Sequence, residues 1–498
     1  MNLEQRPLIS KMLHHPIPSF GPSSPHARAR RLGGGFAPAR KLALLLAAIS
    51  VLGLGSPTAR ALNLETLFGQ AQLYDMRYAQ SGAQYQEART IGPLARSAFL
   101  PKVTAHANTT YNVLNTTILG GVPGFTFPSG RFAFNANGYD VSVNETLFNI
   151  QALYAYRAAG ETLAAAKISH RLALSELIFN VARNYFGFLR AEDSLRLRQA
   201  EESALREELA RAQRSFRLGT ATVTDANEAS ARYEAVRAQT LSAANAVQIA
   251  RSRVERMTGE PADDFWLLDL GRLPPPPHGG TLLSEEDLAA RNNLVLKAAR
   301  AEAEAAGAEA EAAGAARYPT IKAEAAYDYS RAGNSMFGFG SIVRQKTIGV
   351  ELSLPIYEGG ELAAVSAKAG ARAFKAHIVV LRIGRRVQFD VRQAFLNVGN
   401  GYAEVQALKT AEQAAQLALR SDKLGLKVGI RNNVDVLRAE QVYYRSRRDF
   451  ADAVYNYLLS RLSLKAAVSQ LTVADIYRLN ALLEPPLKPR APSQQPSP

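Results

Sequence analysis

The sequence predicts a mixed α+β membrane fold: a transmembrane β-barrel taking four strands from each chain, continued by a long antiparallel α-helical coiled-coil barrel. Three observations predict it. The chain is internally duplicated, four segments alternate strictly between apolar and polar residues, and two stretches of 67 residues carry a helical stripe without a proline.

The duplication organises the rest. Gly219, Asp225 and Tyr233 recur as Gly429, Asp435 and Tyr443 at an offset of 210, and Val181 and Tyr185 recur as Val391 and Phe395. Leu147-Phe148-Asn149 answers Ile356-Tyr357-Glu358 at 209, and Leu100-Pro101 answers Tyr318-Pro319 at 218. The expected divisions are a signal peptide (1–61), a first repeat (62–270), a Pro-rich linker (271–283), a second repeat (284–470) and a closing segment with a disordered tail (471–498).

Each repeat has one grammar. A helical opening segment, 63–97 in the first copy, ends near Pro101. Val103, Ala105, Ala107, Thr109, Tyr111 and Val113 then alternate with Lys102, Thr104, His106, Asn108, Thr110 and Asn112, a strand with one wet face. A Gly/Pro/Phe-rich loop is expected from Asn115 to Asn137, followed by a strand through Tyr139, Val141 and Val143. In the second copy Ile321 to Ser330 and Thr347 to Leu354 alternate likewise, around a loop expected at Gly333–Arg344. About ten residues of alternation suit a tilted membrane strand. Tyr111, Phe125, Phe127, Phe132, Phe134, Tyr139, Tyr327 and Tyr329 flank the strand ends and are expected to form an interfacial aromatic girdle.

The long helices follow at 150–216 and 359–425, each on the order of 100 Å at about 1.5 Å per residue. Leu177, Val181, Tyr185, Phe188 and Leu195 mark the buried stripe of the first, and Val387, Val391, Phe395, Val398, Tyr402 and Val405 that of the second. Short turns at Leu218-Gly219-Thr220 and Val428-Gly429-Ile430 lead into return helices over 223–258 and 433–468. An opening helix plus a return helix roughly equals one long helix in length, so two short helices should lie end to end beside a long partner.

The N-terminus reads as an address. A basic stretch ending at Lys41 precedes an apolar run from Leu42 to Gly55 and the cleavage pattern Ala59-Arg60-Ala61. Residues 1–61 carry +7 of the formal net charge of +15, and the remaining cations are interspersed with acids rather than gathered into a nucleic-acid footprint. The chain has no cysteine, which excludes disulfides and thiolate metal sites. His106, His170, His278 and His377 are too scattered for a metal motif, and no nucleophile elbow or P-loop occurs, so neither an enzyme nor a cofactor is expected. Four strands cannot close a useful barrel, and an open edge in lipid leaves backbone groups unpaired, so the barrel must be shared. A soluble periplasmic coiled-coil scaffold or adaptor is the alternative; it explains the helices but not the alternating segments.

This grammar resembles the TolC family of outer-membrane efflux and type I secretion channel proteins over about residues 62–480. The resemblance rests on Leu-Ser-Leu-Pro-Ile-Tyr-Glu-Gly-Gly at 352–360, the turns Leu218-Gly219…Asp225 and Val428-Gly429…Asp435, Arg183-Asn184-Tyr185-Phe186, and Tyr455-Asn456-Tyr457-Leu458-Leu459. It implies a homotrimer in outer-membrane lipid with its helical tunnel in the periplasm and 471–498 in an equatorial collar. It further implies a periplasmic adaptor docked on the tips at Gly219 and Gly429, and an inner-membrane ABC or proton-driven pump. By the same resemblance Thr224, Asp225, Arg431, Asp435 and Arg438 belong to a periplasmic gate, with Arg431 reaching Thr224 or Asp225 across neighbouring hairpins and Asp435 ringing the lumen. Two positions depart from the family pattern: Leu426 stands where it has a tyrosine, and Arg438 where it has a second acid. Capping of the helix ends accounts for the glycines and aspartates equally well.

Overall fold

The computed structural model describes residues 62–117, 130–262, 264–276, 280–334 and 339–485. The expected signal peptide, Phe125, Phe127 and the tail beyond Pro485 lie outside the described residues.

Two helices open the first repeat, α1 (Leu64–Tyr74) and α2 (Met76–Arg96), where one was expected. Asp75 breaks them apart: its backbone is extended, and its carboxylate accepts from the N–H groups of Arg77 and Tyr78. Strands β1 (Lys102–Thr116) and β2 (Gly130–Phe148) follow, then α3 (Ile150–Arg217), α4 (Val223–Thr258) and the two-residue strand β3 (Leu267–Leu268). The second repeat gives α5 (Leu282–Asn292), which begins inside the expected linker, and α6 (Leu294–Ala315). Asn293 repeats the break, capping the Leu296 N–H. Then come β4 (Thr320–Ala332), β5 (Ser341–Ser353), α7 (Glu361–Lys427), α8 (Asn433–Ala467), α9 (Val473–Asn480) and β6 (Leu483–Glu484).

The sheet is antiparallel in the order β1-β2-β4-β5. Its register lines up Val103, Val143, Ala325 and Ile348 on one face, and His106, Asp140, Asp328 and Gln345 on the other. Ile348, Val350 and Leu352 are 88%, 69% and 67% exposed, and among the described residues β1 and β5 end the sheet without an outer partner. An apolar face and two bare edges suit lipid and a shared barrel, not water.

Strand extends further than the expected loops allowed, down to Thr116 and up from Gly130 and Ser341. The register therefore divides the expected girdle. Tyr111, Tyr139, Tyr327 and Tyr329 share the apolar face, with Tyr139 stacked on Tyr329 at 5.0 Å, whereas Phe132 and Phe134 fall on the polar face. Parity along β2 forces this, because successive side chains point to opposite sides.

The helices form a layer four wide. Above its middle the order is α2, α3, α6, α7; below it, α4, α3, α8, α7. Two short helices thus lie end to end beside each long one. The main core sits where they meet, around Val181, Tyr185, Phe186, Phe188, Tyr455 and Tyr457, with α1, α9 and the β3–β6 pair packed against it. Tyr185 Oη donates to the carbonyls of Trp266 and Leu62 at 2.9 and 3.2 Å, and Tyr455 Oη donates to Asp193 Oδ2 at 2.6 Å. Burial raises both phenols far above their ordinary range, so they act as permanent donors. The linker is tied in through Tyr457 Oη, which donates to the Pro274 carbonyl at 2.9 Å.

Candidate functional site at the helix turns

Both reversals use one backbone device. In the first, Gly219 N–H donates to Phe216 O and Thr220 N–H to Ser215 O; in the second, Gly429 N–H donates to Leu426 O and Ile430 N–H to Gly425 O. This paired bonding needs a left-handed residue at the centre, and Gly219 and Gly429 have φ of +74° and +82°. A side chain at either would meet nothing within 4 Å, so both glycines stand clear at the tips.

Each return helix starts with a capping box. Thr222 Oγ1 accepts from the Asp225 N–H at 3.2 Å, while Asp225 Oδ2 accepts from the Thr222 N–H at 3.0 Å. Asn432 and Asp435 repeat this at 2.8 and 3.2 Å. The Thr222 hydroxyl and backbone N–H hold Asp225 below the ordinary carboxylate range. Thr224 sits beside it, exposed.

Within the chain Arg431 reaches neither Thr224 nor Asp225. Its Nε pairs with Asp422 Oδ1 at 3.2 Å on its own hairpin. Gly425 makes room for that contact: an added Cβ there would stand 2.6 Å from Arg431 Cγ. The turn bonds Arg431 N–H to the Gly425 carbonyl at 3.3 Å, which folds the side chain back over the end of α7 rather than toward the first hairpin. Arg438 is exposed on α8 with no ion pair among the described residues.

Between the two hairpins lies a cleft of about 650 Å³, lined by Asp225 and Leu426 from opposite sides. Thr224, Arg431, Asp435 and Arg438 are not in its lining. Leu426 carries no donor for Asp225. Two buried carboxylates also line the cleft: Glu208, paired with Arg211 at 3.2 Å, and Glu440, held by Lys423 at 2.6 Å. One oxygen of each carboxylate is buried without a partner. Burial raises Glu208 above the ordinary carboxylate range; Arg211 opposes that rise and Glu440 adds to it. Deeper along the bundle Glu201 joins the hairpins directly, accepting from Arg448 at 2.8 Å and Arg198 at 3.0 Å.

Sequence reading missed Asp422, Lys423, Gly425, Glu208 and Glu440. A signal existed: at the offset of 210, Asp422, Lys423 and Glu440 stand opposite Ala212, Gln213 and Ser230, so one copy is charged where the other is not.

The family described as outer membrane efflux protein matches residues 67–260 and 287–470, more than half of the chain and both repeats. The chain belongs to that family. It is 27% identical over 459 residues to the outer membrane protein TolC of Escherichia coli, covering 90% of each chain. It is 26% identical over 407 residues to the alkaline protease secretion protein AprF of Pseudomonas aeruginosa, covering 81% of this chain and 83% of that one. Among solved structures, the Campylobacter jejuni CmeC outer membrane channel superposes with a TM-score of 0.70 at 15% identity, covering 92% of this chain and 98% of that one. The chain is an outer-membrane channel of the secretion and efflux type, with its helices in the periplasm. The soluble scaffold is thereby set aside. The strand hairpins accordingly point away from the cell and the helix turns face the periplasm.

Proposed function

We propose that three copies of this chain close one barrel and one tunnel, and that the assembly is the non-catalytic outer component of a tripartite pump. The carrying observation is that both layers stop at open edges after four elements: among the described residues β1 and β5 have no outer partner, and α7 exposes Phe374, Leu381 and Phe389 along its length. Two chains would give a barrel of eight strands, filled by its own side chains; three is the smallest number that leaves a conduit. In this reading the tips at Gly219 and Gly429 dock a periplasmic adaptor, and an inner-membrane ABC or proton-driven pump supplies the energy. Arg431 bridges to Thr224 or Asp225 of a neighbouring chain when the mouth closes, in competition with Asp422. The cargo is a protein of a type I secretion route, as the name of AprF suggests, or small molecules of multidrug efflux.

Native mass measurement in detergent tests the stoichiometry: three mature chains are expected, and a stable monomer overturns the reading. Deletion in the source cell separates the cargoes, since a missing secreted protein and increased drug sensitivity are distinct phenotypes.

A further inference from the structure

The apolar face of the sheet is not apolar to its top. On β5 the outward positions run Leu352, Val350, Ile348, then Lys346, Arg344 and Ile342 toward the outer rim, and Arg331 faces outward on β4 beside Ile342. Lys346 is paired in register with Tyr327 and Arg344 with Tyr329, and the Arg344 guanidinium lies over the Tyr329 ring at 5.7 Å. From Lys346 down to Leu354 is eight residues. At ~3.3 Å per residue and a tilt near 40° this spans ~20 Å, on the order of the apolar band of an outer-membrane barrel. The three cations therefore stand at the upper edge of the lipid-facing band, level with the tyrosines and where head groups lie.

No described carboxylate neutralises them. Arg331, Arg344 and Lys346 are exposed and make no ion pair among the described residues. No Asp or Glu occurs from Val103 to Tyr139 or from Tyr329 to Val350, which covers the upper wall and both hairpin loops. The nearest acids, Asp140 and Asp328, point to the opposite face. A neighbouring copy that closes the barrel brings the same acid-free upper β1 against β5. The one acid on the outward face, Glu145, stands at the lower end, in register with Ala323. Three like charges on adjacent strands repel one another unless an anion lies among them.

We propose that Arg331, Arg344 and Lys346 form a docking surface for the phosphate groups of phosphorylated glycolipid in the outer leaflet. The guanidinium groups give forked contacts to phosphate, Lys346 adds a point charge, and the tyrosines line the acyl–head-group boundary. Occupancy fixes the height and rotation of the barrel wall in the membrane.

The test is native mass spectrometry of the purified full-length protein, titrated with diphosphorylated lipid A and with its dephosphorylated form. The parent should retain the phosphorylated form and lose the other. The triple variant Arg331→Gln, Arg344→Gln, Lys346→Gln should bind the phosphorylated form roughly a hundredfold more weakly, at about fivefold per cation. Glu145→Gln, on the same face at the other end, should bind as the parent does. If the triple variant fails to insert, Arg344→Gln and Lys346→Gln singly should each show the fivefold loss. Equal retention of both lipids by the parent, or unchanged binding in the variants, overturns the proposal.

Discussion

The two helix turns are copies of one backbone carrying opposite chemistry. Gly219 and Gly429, Thr222 and Asn432, and Asp225 and Asp435 keep the same left-handed residue, N-cap and capping box at a constant spacing. Around them the side chains diverge. Arg431, Asp422 and Gly425 of the second turn correspond to Ala221, Ala212 and Ser215 of the first, and Arg438 corresponds to Glu228. Residues that set the chain's path survived duplication in both copies, since either helix frays without them. Residues that set charge differ between the copies, and among the described residues only the second turn carries an ion pair across it.

The largest effect should come from the shared backbone. Gly219→Val or Gly429→Val places a branched side chain at positive φ, at a cost of about 1–2 kcal/mol per site, and puts bulk on an open tip. Export, measured as secreted cargo or as drug resistance, should be lost while assembly and membrane insertion persist. If assembly itself fails, the glycines serve the fold alone and the tips lose their case as a docking surface.

The next effect should belong to the second turn only. Gly425→Ala must displace Arg431, whose Cγ would lie 2.6 Å from the new Cβ. Arg431→Ser, which removes the bridge, should raise single-channel conductance in planar bilayers; Gly425→Ala, which frees Arg431 from its competitor Asp422, should lower it, and Ser215→Ala at the matching site should change nothing. The Asp422 pair itself is half exposed and contributes only ~0.2–1 kcal/mol, so a rise in conductance would reflect a contact beyond it. Unchanged conductance in both second-turn variants would remove Arg431 from the mouth.

Arg438 offers a smaller test. It lies one helical turn from Asp435, near enough to weaken any cation held by that carboxylate. Block of the channel by divalent cations should be weak in the parent and stronger in Arg438→Asp, and equal block would place Asp435 off the conduction path.

The smallest effect should be that of pH on the cleft between the turns. Because Glu208 is raised by burial, the folded cleft holds its proton more tightly than the unfolded chain does. Its contribution is complete below the ordinary carboxylate value and is lost as pH rises through the raised one. Asp225, lowered by Thr222, behaves oppositely and loses its contribution only in more acidic solution. Acidification toward the ordinary carboxylate value should therefore raise the protection factors of the turn amides, once the intrinsic pH dependence of exchange is divided out, and Glu208→Gln should abolish that rise. An unaltered response in Glu208→Gln would assign the effect to another group.

The duplication, the alternating strands, the 67-residue helical stripes and the turn glycines are all legible in the order of residues. These are legible because periodicity of 2 or 3.6 residues, and the need for positive φ, are local properties written in adjacent residues. Val181, Tyr185, Val391 and Val405 were expected on buried stripes and are fully buried. Local signals also misled. Alternation fades above Tyr139, where the outward positions of β2 are Asn137, Asn135, Ala133 and Arg131, yet the ladder to β1 continues to Gly130. Backbone hydrogen bonds, not side-chain pattern, carry the strand there. Tertiary structure alone decided that Phe132 faces away from Tyr139, that Arg431 lies against Asp422 across Gly425, and that Glu208 meets Glu440 from the other repeat. Each of these depends on register or on a distant partner. A shift of one residue along β2 would reverse every face, and no reading of one segment can weigh the charge that another segment brings to it.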